Sequence, residues 1–266
     1  MKIAFIGCGN MGGALATAVS KSQVAKQVLL CDKNVENAKK LATSLGAVYA
    51  DSKTVCEQSD YLFLGVKPQF LASLIEEISP FIKKREQKPV IITMLAGVKI
   101  EKIKNYLGND VKVIRIMPNT PVGVQEGMVL YTKSEDVTTD NLNDFLSFMQ
   151  KAGKLDMLDE EFFDAGSALS GCGPAFVYLF IDALTEGGIN CGLTKEQAQT
   201  YAKQTLLGAS KLATVSSKTP NELKIDVCSP GGSTIEGVKI LEDGAFKSAV
   251  VSAVKASFER TKELGK

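Results

Sequence analysis

The chain contains no histidine and no tryptophan. Without histidine there is no Ser-His-Asp triad, no Cys-His pair, no imidazole general acid and no His-ligated metal site. Its chemistry must come from backbone dipoles, hydroxyls, carboxylates, amines or a bound cofactor. Neither charge dominates, since Lys+Arg 31 against Asp+Glu 30 leaves a net charge of +1. With no basic excess to grip a phosphate backbone, nucleic acid is not expected as the main partner. No C-x-x-C pair occurs. Cys8, Cys31, Cys56, Cys172, Cys191 and Cys228 are scattered singly, as reduced cytosolic thiols are, and not as a disulfide framework or zinc ribbon. The opening Met1–Ile6 runs straight into glycines and is too short for a signal-peptide core. No uninterrupted apolar run approaches the ~20 residues that span a bilayer. A cytoplasmic protein without membrane association is expected.

What is present is 266 residues, 45% hydrophobic and 23% charged, which is ordinary for a globular protein and more chain than one small core needs. The first half alternates compact aliphatic runs with helical spacing. Ile3–Ile6, Val28–Cys31, Tyr61–Val66, Val90–Leu95 and Val111–Ile116 have the composition of strands buried on both faces of a parallel sheet. Helical patterns separate them: Leu15 and Val19; Ala38 to Leu45, ended by Gly46; and Phe70 to Ile78, ended near Pro80. Met128–Tyr131 and Lys154–Leu158 are further strand candidates around a helix from about Thr138 to Gln150. Beyond Asp159 the strand-like runs stop. Helical patterns follow at Glu160–Ala168, Ala175–Glu186, Lys195–Val215, Ile235–Glu242 and Ala245–Leu264, with capping-box signals at Thr194/Gln197 and Thr219/Glu222. The expectation is an α/β fold: a doubly wound, Rossmann-type parallel sheet over residues 1–158, then an all-α domain over 159–266. The second domain is rich in small residues on its helices and has limited means to bury its apolar stripes alone, so dimerisation through it is expected, the plain alternative being a self-contained bundle packed on the first domain.

Gly7-Cys8-Gly9-Asn10-Met11-Gly12 is G-x-G-x-x-G placed directly after a strand and opening a helix. In that context the first glycine makes the turn, the second admits a pyrophosphate and the third lets helix and strand pack closely. Asp32 follows at the end of the next strand, where a carboxylate reads a ribose 2′-hydroxyl and favours NAD. Lys33 and Asn34 beside it offset that charge for NADP, and capping of the next helix is the plain alternative. Two further strand ends carry rigid turns, Val66-Lys67-Pro68-Gln69 and Met117-Pro118-Asn119-Thr120-Pro121. In the second half, Ser229-Pro230-Gly231-Gly232-Ser233-Thr234 exposes several N–H groups at a helix start, a nest for a carboxylate or phosphate. Ser170-Gly171-Cys172-Gly173-Pro174 is a second glycine-rich helix start.

These motifs, in this order and with Arg115, Gly237 and Leu241-Glu242, resemble those of the pyrroline-5-carboxylate reductases over essentially the whole chain. Departures are modest: Cys172 stands where the family usually has serine, Phe176 where tyrosine is common, and Met94-Leu95-Ala96-Gly97 is bulkier than usual. The resemblance implies NAD(P)H-dependent reduction of 1-pyrroline-5-carboxylate to proline, with NADP or NAD held by Ile6, Gly7, Cys8, Gly9, Asn10, Met11, Gly12, Asp32, Lys33, Val66, Lys67, Pro68, Ala96 and Asn119. It implies substrate binding by Val227, Ser229, Gly231, Gly232, Ser233 and Thr234, with Thr234 as the catalytic residue. It further implies a homodimer through the helical domain, and rings of such dimers. Two competing readings are a β-hydroxyacid-type dehydrogenase, for which Lys195, Lys203, Lys211 and Lys224 lack a convincing catalytic context, and a non-catalytic nicotinamide sensor.

Overall fold

The structure, a computed structural model, describes residues 1–264. Packing divides the chain into two compact units: Met1–Cys172 together with the stretch from Ser257 onward, and Gly173–Ala256.

The first unit is built on one eight-stranded sheet. Its elements are β1 (Lys2–Ile6), α1 (Asn10–Lys21), β2 (Gln27–Cys31), α2 (Val35–Leu45), β3 (Val48–Tyr49), α3 (Ser52–Gln58) and β4 (Tyr61–Leu64). They continue with α4 (Leu71–Lys83), β5 (Val90–Thr93), α5 (Ile100–Leu107), β6 (Val113–Met117), β7 (Gly127–Lys133), α6 (Thr139–Met149) and β8 (Gly153–Met157). The strand order is β3-β2-β1-β4-β5-β6-β7-β8. Successive side chains of each strand point to opposite faces, and both faces of the central strands are covered, so β1, β4 and β5 are almost wholly apolar, whereas the edge strand β8 is largely unburied. Phe5, Phe63, Ile92 and Ile116 meet Leu15 and Val19 of α1 and Phe145 and Phe148 of α6 on one face. Leu62, Leu64 and Ile91 meet Val55, Ile78, Ile103 and Leu107 of α3, α4 and α5 on the other. Each such fully buried side chain contributes roughly 1.5–3 kcal/mol relative to exposure. Phe5 and Phe63 stack with ring centres 4.2 Å apart across β1 and β4, fixing the strand pair where the order reverses.

Three expectations change. The sheet is not wholly parallel, because β7 runs antiparallel to β6 before β8 resumes parallel pairing with β7. The connection from Met117 to Gly127 holds only a short 3₁₀ turn, Thr120–Val124, and is too short for a crossover helix. Pro80 does not end α4 but lies inside it. Its missing N–H falls on the exposed face, as does Glu76 one turn back, so no buried carbonyl loses its partner. A bilayer-length apolar stretch also exists. The helical run Glu160–Asn190 contains an 18-residue window of mean hydropathy 1.4, of which 11% is buried within the chain. The stretch is not an uninterrupted apolar run, because Ser170, Gly171, Gly173, Pro174 and Asp182 break it without lowering the average enough.

After β8 the first unit continues through α7 (Phe163–Gly166) and a π-helical turn, Ser167–Gly171. The second unit holds α8 (Gly173–Asn190), α9 (Lys195–Val215), α10 (Pro220–Val227), α11 (Ser233–Asp243) and the first part of α12 (Phe246–Leu264). Both expected capping boxes are formed, Thr194 with Gln197 and Thr219 with Glu222. This unit has almost no interior. Among the described residues only Thr185, Ala198 and Ala202 are buried in it, while Leu179, Leu207, Leu212, Val215 and Ile240 are all more than half exposed. Helices with apolar faces and no core require a partner surface.

Candidate active site

The turn after β1 is shaped by backbone contact. Gly7 has φ of +100°, and a Cβ there would lie 2.5 Å from the Gly65 oxygen, beyond the end of β4. A Cβ on Gly12 would lie 2.0 Å from the Gly7 oxygen, so this glycine lets α1 pack on the turn. Gly9 differs from both: a Cβ there meets nothing within 4 Å. It is the N-cap of α1 and provides no side-chain cap. The first intrahelical bond runs from Gly13 N to Gly9 O, so the N–H groups of Asn10, Met11 and Gly12 precede the ladder and face outward at the positive end of the helix. Open space over Gly9 and uncapped amides beside it form an anion cradle, and a dinucleotide pyrophosphate fits both.

Beside this turn lies a cavity of about 550 Å³, at the carboxyl ends of the strands flanking the reversal in strand order. It brings together Ile6, Gly7, Gly9, Asp32, Lys33, Val66 and Lys67 of the expected residues. It adds Cys31, Tyr49, Asp51, Ser52, Gly65, Phe70, Ser73, Leu74 and Glu77, which the sequence did not single out. Only Gly65 left a trace, a glycine closing the apolar run of β4. Lys33 lies over the Phe70 ring, 5.5 Å from its centre, and the two form part of the cavity rim.

Asp32 lines this cavity at the end of β2, with its carboxylate bonded to the surrounding backbone. One carboxylate oxygen accepts from Cys8 N at 2.5 Å and the other from Asn34 N at 2.8 Å. Its charge therefore ties the glycine turn to the start of α2, where Asn34 caps the helix through Asn37 N. The Cys8 carbonyl in turn accepts from Asn37 Nδ2 at 3.1 Å. Burial, and after it the Asp32 carboxylate, pushes the Cys8 thiol up to about 12, so it stays protonated and forms a wall of the turn. Replacing Asp32 by alanine removes two charge-assisted bonds worth roughly 1.5–3 kcal/mol each. The expected result is a similar loss of kcat/KM, about tenfold or more, with NADH and with NADPH. A loss confined to NADH would show that the carboxylate acts on the ribose instead.

The remaining expected cofactor residues lie elsewhere in the first unit. Pro68 opens a 3₁₀ turn, Pro68–Phe70, leading into α4. Ala96 packs against Met117, Leu130 and Phe163. The Asn119 side chain is buried and works as a clasp, its Nδ2 donating to Ser170 O at 2.9 Å and its Oδ1 accepting from Met128 N at 2.9 Å.

In the second unit, Ser229-Pro230-Gly231-Gly232 is a β-turn closed by Gly232 N to Ser229 O at 3.0 Å, with Gly231 at φ +71° in the position that requires it. Gly232 is the N-cap of α11, without a side-chain cap, unlike Thr194 and Thr219 before α9 and α10. The N–H of Gly232 is spent on the turn, which leaves those of Gly231, Ser233 and Thr234 to meet an anion. Ser229, Gly231, Ser233 and Thr234 are exposed, as is Val227 at the end of α10.

A phosphate cradle at the reversal of a mostly parallel sheet, followed by a coreless helical unit, defines a dinucleotide-dependent oxidoreductase that oligomerises through its helices. Comparison with known proteins gives the particular one. Residues 160–264 match the family model described as pyrroline-5-carboxylate reductase dimerisation. Residues 2–97 match NADP oxidoreductase coenzyme F420-dependent. The chain is 36% identical to pyrroline-5-carboxylate reductase of Aquifex aeolicus, over 99% of this chain and 97% of that one. To the Escherichia coli enzyme it is 33% identical, over 100% and 98%. A solved pyrroline carboxylate reductase of Plasmodium falciparum with NADP bound superposes with a TM-score of 0.88 at 29% identity, covering 100% of this chain and 98% of that one. The Coxiella burnetii pyrroline-5-carboxylate reductase gives 0.90 at 30%, covering 99% and 98%. The chain belongs to the pyrroline-5-carboxylate reductase family. That membership displaces the hydroxyacid dehydrogenase alternative.

Proposed function

We propose that this chain reduces 1-pyrroline-5-carboxylate to L-proline, holding NADP(H) or NAD(H) at the α1 cradle and the substrate carboxylate at the turn before α11. The observation that carries this reading is the contrast among the three glycines: two are closed by backbone, and the one at the helix start is open. When bound, the reduced dinucleotide supplies the hydride. The N–H groups of Asn10, Met11 and Gly12 hold its phosphates, while Lys33, Lys67 and Phe70 border its adenosine half. The N–H groups of Gly231, Ser233 and Thr234 hold the carboxylate, and the Thr234 hydroxyl holds a proton near the ring nitrogen. A protonated imine is already a strong electrophile, so orientation and fixed dipoles suffice and a chain without histidine can do this chemistry.

The test follows dinucleotide absorbance with racemic pyrroline-5-carboxylate, using NADPH and NADH in parallel. Turnover with at least one is expected, and binding without turnover would favour the sensor alternative. Thr234→Ala should lower kcat/KM by about tenfold or more, equal to about 1.4 kcal/mol of transition-state stabilisation, with Thr234→Ser recovering most of it. An unchanged Thr234→Ala removes the residue from the mechanism. We further assign the protein to a reducing, cytoplasmic setting, supported by its six free cysteines, and to dimers that gather into rings.

A further inference from the structure

Arg115 of β6 carries a permanent charge into the sheet, with its side chain 3% exposed. A buried guanidinium persists where its contacts are specific. Its Nη1 donates to Glu160 Oε1 at 3.0 Å, and its guanidinium carbon lies 4.6 Å from the centre of the Phe163 ring. Among the described residues its Nε has no hydrogen-bond partner, and neither does the hydroxyl of buried Thr93, its register partner on β5. The same Glu160 oxygen accepts from Ile100 N at 2.8 Å, sixty positions earlier in the chain. Ile100 is the first residue of α5, whose N-cap, Lys99, provides no side-chain cap. A helix without a cap of its own is therefore capped from a distance, by a carboxylate that Arg115 holds in place. The segment leading into it, residues 94–99, leaves the carboxyl end of β5. Its Ala96 packs in the cluster of Met117, Leu130 and Phe163, the last being the ring on which Arg115 lies. Arg115 thus governs both the downstream end of this loop and the surface beneath its middle.

We propose that Arg115 and Glu160 are positioning residues for the 94–99 loop, setting the wall at Ala96 against which the nicotinamide end of the cofactor rests. The inference rests on the reading above that Ala96 faces the cofactor.

Three variants of the full chain test it. Glu160→Ala removes the shared acceptor. Glu160→Gln keeps an oxygen in the same place. Ile100→Pro deletes the N–H that Glu160 accepts and trims a buried core side chain, for which Ile100→Ala, keeping the N–H, is the control. It is compatible with the backbone because proline suits the first helical position and Lys99, at φ −77° and ψ 159°, already has the conformation that precedes proline. Binding of ADP-ribose, which lacks the nicotinamide, and of NADP is measured by calorimetry, with kcat and KM alongside. ADP-ribose affinity should stay within about twofold in all three. Glu160→Ala and Ile100→Pro should weaken NADP and lower kcat by about tenfold, and Glu160→Gln should retain most of both. Unchanged NADP affinity and kcat in Ile100→Pro would overturn the proposal, as would a parallel fall in ADP-ribose affinity, which marks general loss of the fold. If Glu160→Ala fails to fold, Ile100→Pro decides. Wild-type protein without turnover would instead refute the functional reading.

Discussion

Replacing Gly9 by alanine should leave the melting temperature nearly unchanged and lower kcat/KM about a hundredfold or more, equal to about 2.7 kcal/mol. The apo structure has room for the methyl group, since nothing lies within 4 Å of it. On the function proposed above, the space it fills is where a pyrophosphate approaches the backbone. Gly12→Ala should behave in the opposite way. Its methyl would lie 2.0 Å from the Gly7 carbonyl oxygen, and a backbone atom inside a packed strand–helix junction cannot retreat cheaply. A destabilisation of about 3 kcal/mol or more is expected, lowering Tm by roughly 6–12 °C for a unit of this size. Thermal melts and dinucleotide titration of the two variants separate a ligand position from a packing position. Equal losses of stability would mean that the space over Gly9 serves the fold.

The second large effect concerns the coreless helical unit. Leu179→Glu on α8 should convert the oligomer to monomer in light scattering and abolish turnover. Leu179 is 71% exposed in the single chain, and the matching dimerisation family covers this helix. In a two-fold dimer one substitution acts twice, removing roughly 1.5–3 kcal/mol of apolar burial at each site and placing an uncompensated carboxylate there instead. Losses of that size raise a dimer dissociation constant more than about a thousandfold. An unchanged mass would show that α8 packs elsewhere.

Much of this architecture was legible because its signals are local. β1, β2, β4, β5 and β6 are short runs buried on both faces, and such runs have few other uses. The glycine turn was found because its three roles have fixed spacing. The elements that escaped lack such signals. β3 is two residues at the sheet edge, and α3 is a seven-residue polar helix with only Asp51 as its cap to announce it. α5 shows one apolar face, Ile100, Ile103 and Leu107, but no cap of its own, since its cap is Glu160. Strand direction leaves no mark on composition, and the antiparallel β7 was hinted at only by the shortness of the preceding connection. Within the site, Asp32 sat where spacing put it. The direction of its oxygens depended on which amides lay nearby, and that is decided by three-dimensional closure of the turn.

The contact between Gly7 and Gly65 has a consequence for how such a site diversifies. The two turns come from strands on either side of the reversal and meet main chain to main chain, with no side chain between them. The width of the cleft mouth is thus gauged by carbonyl radii, which no mutation alters. Drift at this edge is confined to bordering positions such as Lys33, Phe70 and Glu77, which, on the function proposed above, retune affinity for one dinucleotide or another while the aperture stays the same.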